Sequence, residues 1–95
     1  MAGQLWVREM ARNKILRDVA VPCIKDSWTD ALAEACHALD VQVPMVLPRH
    51  ERDWREFSQA RFLPEHFVES VRFDRLEAEY FDPDDRRPRP VTDEP

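Results

Sequence analysis

The 95-residue sequence predicts a small α+β domain of two layers, a sheet with an amphipathic helix lying on it. Three observations carry this prediction. Residues 5–21 alternate in hydrophobicity with a period near two on both sides of a polar interval, the mark of a β-hairpin. Residues 28–40 switch to the 3.6-residue period of a helix with one buried face. Phe73 to Phe81 returns to a period of two and supplies a long closing strand.

In the hairpin, Leu5, Val7 and Glu9 share one face and Trp6, Arg8 and Met10 the other, followed by Ile15, Arg17, Val19 and Val21 alternating with Leu16, Asp18 and Ala20. Asn13 in the interval Arg12-Asn13-Lys14 tolerates a left-handed backbone, but without the favoured Asn-Gly pair a loop of three to five residues is expected. Ser27, with Asp30 three residues on, predicts the capped start of a helix over Trp28 to Asp40, whose stripe is Leu32, Ala35, Cys36 and Leu39. Pro44 and Pro48 bracket Met45-Val46-Leu47, which suits a brief, fully buried strand. Glu51 to Phe57 predicts a short helix dipping Trp54 and Phe57 inward, and residues 58–63 another short strand. Pro64 fits the first position of a helical turn holding Glu65 and His66, with Phe67 pointing into the core. In the closing strand Leu76, Ala78 and Tyr80 oppose Arg75, Glu77 and Glu79, so one face is buried and an acidic one stays wet, in the same sheet as Leu5 to Met10. Residues 1–82 therefore form one domain, and the proline- and charge-rich residues 83–95 a disordered tail.

This element order resembles that of the β-grasp, or ubiquitin-like, fold. The resemblance implies a last strand beside the hairpin, parallel to the first, with the helix across one face; no C-terminal Gly-Gly is present for conjugation. The stretches Lys14 to Asp18 (KILRD), Ala31 to Asp40 (ALAEACHALD), Pro44 to Leu47 (PMVL), Trp54 to Phe62 (WREFSQARF) and Phe73 to Glu77 (FDRLE) resemble a group of short, uncharacterised bacterial proteins over about residues 5–82. That likeness implies a shared fold and no chemistry.

Composition narrows function. The formal charge is −5, and residues 65–85 hold 8 acidic side chains against 2 basic ones, a field that repels nucleic-acid phosphates. One glycine, Gly3, leaves no phosphate-cradling loop, and no apolar run is long enough to span a bilayer. Two cysteines are too few for a secreted disulfide scaffold and predict reduced thiols in a cytoplasm. No C-x-x-C or H-x₃₋₅-H pair exists to anchor zinc, so no metal, cofactor or catalytic set is expected.

Two features remain as candidate sites. Arg49 to Arg61 interleaves arginines with Trp54 and Phe57, and Arg52, Trp54, Arg55 and Arg61 form a candidate protein-interaction surface, tempered by Glu51, Asp53 and Glu56. Cys36 lies on the apolar stripe, whereas Cys23, at a strand end after Pro22 and near Lys25, is the candidate reactive thiol. In the tail, Arg86-Arg87-Pro88-Arg89-Pro90 suits a polyproline helix. The expected function is a non-enzymatic protein-interaction module using a sheet edge or the Trp54 region. The alternatives are a small thiol-dependent enzyme or sensor using Cys23, or a regulatory subunit of a neighbouring enzyme.

Overall fold

In the computed structural model residues 3–82 are described; the tail expected at 83–95 lies outside the described residues. The elements are β1 (Gly3–Ala11), β2 (Lys14–Cys23), a 3-10 turn (Lys25–Ser27), α1 (Trp28–Ala38), α2 (Pro48–Phe57), β3 (Gln59–Phe62), a second 3-10 turn (Pro64–His66) and β4 (Arg75–Phe81). They build an antiparallel sheet in the order β2-β1-β4-β3. Among the described residues no helix is long and apolar enough to cross a membrane.

The alternation in β1 sets the two faces. Leu5 and Val7 are opposed by Val21 and Val19 on one side and by Tyr80 and Ala78 on the other, so all six point into the core. On the outer face Arg8 stacks 4.1 Å above the Trp6 ring and binds Glu77 at 2.9 Å and Glu79 at 3.2 Å. Glu77 and Glu79 thus sit on the outer face, as their alternation requires.

The hairpin turn is tighter than the sequence suggested. Lys14 pairs with Ala11, leaving only Arg12 and Asn13 between the strands, both left-handed at φ 53° and 66°. Two such residues match the twist of a hairpin, which is why this turn wins over a longer loop. Asn13 accepts that conformation readily, while Arg12 is held in it by its N–H donating to Asp74 Oδ2 at 2.8 Å. Arg12→Gly, which removes the strained Cβ, is expected to raise stability by roughly 0.5–1 kcal/mol after the extra entropy of glycine in the unfolded chain. A shift of the urea midpoint upward checks this.

Helix α1 buries Trp28, Ala31, Leu32, Ala35 and Cys36. It stops two residues before the expected Asp40, because Asp40 turns left-handed (φ 59°) and the N–H groups of Asp40 and Val41 donate to the carbonyls of His37 and Cys36. That is a Schellman termination with an aspartate in glycine's place. Ser27 does not cap α1 through its hydroxyl; it ends the 3-10 turn, and its N–H donates to the Ile24 carbonyl at 2.8 Å.

Three further expectations are corrected. No strand forms at Met45-Val46-Leu47: Met45 is exposed, and its N–H is tied to the His66 carbonyl at 2.9 Å. The short helix is a full second helix beginning at Pro48, and Phe57 near its end is 62% exposed while Trp54 is buried. Finally, β4 lies beside β1 but runs antiparallel to it, where a β-grasp closes with a parallel pair. The physical reason is that a period of two is unchanged when the strand is reversed. Alternation reveals which residues share a face and leaves direction open.

The core joins the sheet to both helices. Trp28 and Trp54 stack with centroids 4.6 Å apart, and Phe62 lies 6.4 Å from Trp28, so one aromatic column links α1, α2 and β3.

Candidate functional site

Helix α2 has two sides, and they separate the residues that the sequence grouped together. Trp54 belongs to the core: it is 4% exposed, and its Nε1–H donates to the Lys25 carbonyl at 3.0 Å. It therefore cannot serve as a surface anchor, and Arg55 lines a small hollow with Lys25, Asp26 and Glu51 on that side. The other side carries Arg49, Arg52, Asp53 and Phe57, one stripe at helical spacing. Where this stripe faces β3, a groove of about 440 Å³ opens, lined also by Gln59, Arg61, Leu63 and Glu77. Of the expected surface, Arg52 and Arg61 come together in this groove, while Trp54 and Arg55 do not join them.

Arg49 and Phe57 complete the groove and were not singled out as surface anchors. The i, i+3 spacing of Trp54 and Phe57 suggested a shared inward face, but α2 ends at once beyond Phe57 in left-handed Ser58, whose N–H donates to the Trp54 carbonyl. Glu77 contributes little free negative charge. Burial pushes its carboxyl up, yet the guanidiniums of Arg75 and Arg8 outweigh burial and hold it below the usual carboxylate range. Arg49, Arg52 and Arg61 thus line the groove with two acids, Asp53 and the already paired Glu77, whose Oε2 also lies 3.9 Å from Arg61 Nε.

Behind the groove lies a motif legible in the sequence but unremarked there: Leu47-Pro48-Arg49-His50 and Leu63-Pro64-Glu65-His66 repeat the pattern Leu-Pro-x-His. Each copy starts a helical turn, with proline first and histidine at the third position. In both, the histidine N–H donates to the leucine carbonyl at 2.9 Å, and the leucine N–H donates back to the ring Nδ1 at 2.9 Å. Both rings are buried, 1% and 3% exposed, and meet edge-on with centroids 4.7 Å apart against Phe62. Burial, His66 and Arg49 hold the His50 pKa below the ordinary histidine value, outweighing Asp53 and the Arg61 backbone.

Cys23 is not exposed as its strand-end position suggested. It is 2% exposed, its Sγ lies 3.6 Å from the Ile24 carbonyl, and burial raises its pKa. Lys25, expected to activate it, extends its ammonium over the Tyr80 ring, 5.4 Å from the centroid. Cys36 is buried as expected, and burial with the negative Glu9 pushes it up to about 12. Neither thiol has the depressed pKa that nucleophilic chemistry needs.

The chain matches no family model, no curated protein and no solved structure.

Proposed function

We propose that the chain is a protein-interaction module that takes an acidic, extended segment of a partner into the groove between α2 and β3. The observation that carries this reading is the set Arg49, Arg52 and Arg61 around exposed Phe57, on a protein whose overall charge is −5. Arginine forks bind carboxylates in two-point fashion, and an exposed aromatic beside them supplies an apolar anchor. Among the described residues β3 is the last strand of the sheet, so its outer edge lies beside these side chains and can take an added strand.

The opposite edge is guarded. In β2, Arg17 faces Glu9 and Ile15 faces Met10, so Leu16 is the extra residue of a bulge, and Pro22 interrupts the donors further along. Bulges and edge prolines discourage strand addition, which favours the β3 side for a partner. Two free, buried cysteines fit a reducing compartment such as the cytoplasm, and the resemblance to short bacterial proteins belongs to the same proposal. A regulatory subunit is the case in which the partner is an enzyme. The raised pKa of Cys23 speaks against the thiol-sensor alternative.

Fluorescence anisotropy with extended peptides of interleaved acidic and apolar residues tests the reading. The acidic peptide should bind, its Asn/Gln counterpart should bind about tenfold more weakly or worse, and Arg52→Glu with Arg61→Glu should cost about 10–100-fold in affinity. Equal binding of acidic and neutral peptides, or none to the wild type, refutes it.

A further inference from the structure

We propose that the His50–His66 pair is a proton-operated latch: one proton taken up at a ring Nδ1 turns an acceptor into a donor, opens a Leu-Pro-x-His cap, and frees the first turn of α2 from the turn at Pro64–His66. This inference goes beyond the groove and needs no ligand there.

The geometry defines the chemistry. Because Nδ1 of each ring accepts a backbone N–H, the neutral ring carries its hydrogen on Nε2. A protonated imidazole has two N–H donors and no acceptor, so its Nδ1–H would face the N–H of Leu47 or Leu63, and the bond must break. The third position of such a cap is ordinarily glutamate or glutamine, and either would close it without a charge change between pH 5 and 8. Histidine is the side chain that does change there. Using it twice, with the two rings in contact, gives one proton either of two caps to open, while a second proton is opposed by the first.

The surroundings are mixed in sign. From α2, Arg49 places Nη2 3.3 Å from His66 Nε2; at His50 the Arg49 charge opposes protonation and Asp53 favours it. From the 3-10 turn, Glu65 lies 3.9 Å from His66 Nε2, but it is 72% exposed and solvent screens it. From β3, the Arg61 backbone faces His50 Nε2 without closing a hydrogen bond, and the Phe62 ring offers no charge. Burial of the His50 ring, reinforced by its neighbour His66 and by Arg49, tips that ring toward the neutral form in the folded state.

The direction of the pH effect follows. His50 is held below its unfolded value of about 6.5, so below that pH the unfolded chain binds more protons and stability falls as pH drops; above it the contribution is full. The loosened segment includes Arg49, and the loop before α2 is tied in through the Met45 N–H to the His66 carbonyl.

The test uses the full chain with His37→Gln, leaving His50 and His66 as the titrating histidines. NMR from pH 8 to 5 follows both imidazoles and the amides of Leu47 and Leu63. On acidification one or both amides should shift with the imidazole transition, and their hydrogen exchange, corrected for the intrinsic pH dependence, should speed up about tenfold, the equivalent of one pKa unit. Adding His50→Gln and His66→Gln, which keep a cap acceptor, should remove the pH dependence of the denaturation midpoint between pH 7.5 and 5.5. If the imidazoles titrate while both amides stay still, or if the glutamine variant folds and keeps the full pH dependence, the latch is overturned. Should that variant not fold, the titration of the His37→Gln chain alone decides.

Discussion

Phe62→Ala is expected to remove about 3–5 kcal/mol of stability, the usual loss when a buried phenylalanine leaves a cavity its neighbours cannot fill. A domain of this size has on the order of 5–10 kcal/mol in all, so the variant should be largely unfolded in mild denaturant. The size of the effect follows from position. Phe62 is fully buried on a four-residue strand that holds the edge of the sheet, and it opposes Leu76 across β3 and β4. It also touches three separate elements, with centroids 6.4 Å from Trp28 of α1, 4.3 Å from His50 of α2 and 6.5 Å from His66 of the second 3-10 turn. No single neighbour can collapse into the space without abandoning a stack, a cap or a strand pair. Phe62→Leu keeps most of the volume and should cost about 1 kcal/mol. Urea unfolding measures both, and near-ultraviolet circular dichroism reports the Trp28–Trp54 stack. A loss under about 1 kcal/mol for Phe62→Ala would show that β3 is not fastened to the core as described.

How far the sequence disclosed this arrangement depends on which physical rule was at work. Leu5, Val7, Leu76 and Ala78 announce their buried face through alternation, because every second side chain on a strand points the same way. Direction is not encoded in that rule, so the antiparallel course of β4 could not be read from it. The helical stripe Leu32, Ala35, Cys36 and Leu39 was legible for the same kind of reason. Trp54 and Phe57 show its limit: three residues apart, they are separated by about 300° of helical rotation, close enough to share a face only when the helix continues to support both. Here Ser58 ends it, Trp54 goes in and Phe57 stays out. The groove was half visible, since Arg52 and Arg61 were named but their meeting depends on how α2 turns back onto β3. The paired Leu-Pro-x-His caps were visible letter by letter. What the letters withheld is that 16 positions of separation close into a ring contact of 4.7 Å.

Arg17→Met is expected to destabilise the protein more than the double variant Glu9→Leu with Arg17→Met, although the double variant removes more polar groups. Glu9 sits on the inward face of β1 and is 1% exposed. Its carboxylate is met by Arg17 from across the hairpin, at 2.7 Å from Nη2 to Oε2 and 3.3 Å from Nε to Oε1. The same Nη2 donates to the Leu39 carbonyl at 2.8 Å, so this one guanidinium also fastens β2 to the end of α1. Removing Arg17 alone strands a buried carboxylate, the costly half of any buried ion pair; replacing both partners with apolar groups of similar volume removes the charge and its need together. Arg17 is half exposed, and water reaching the pair will soften the penalty without reversing the order. Arg17→Lys should fall between wild type and Arg17→Met, because an ammonium keeps the charge but cannot bridge both carboxylate oxygens and the Leu39 carbonyl from one planar fork. Denaturation midpoints at constant pH rank the four proteins. A double variant less stable than Arg17→Met would mean that Glu9 is satisfied without its arginine, and that the hairpin and α1 are joined by packing alone.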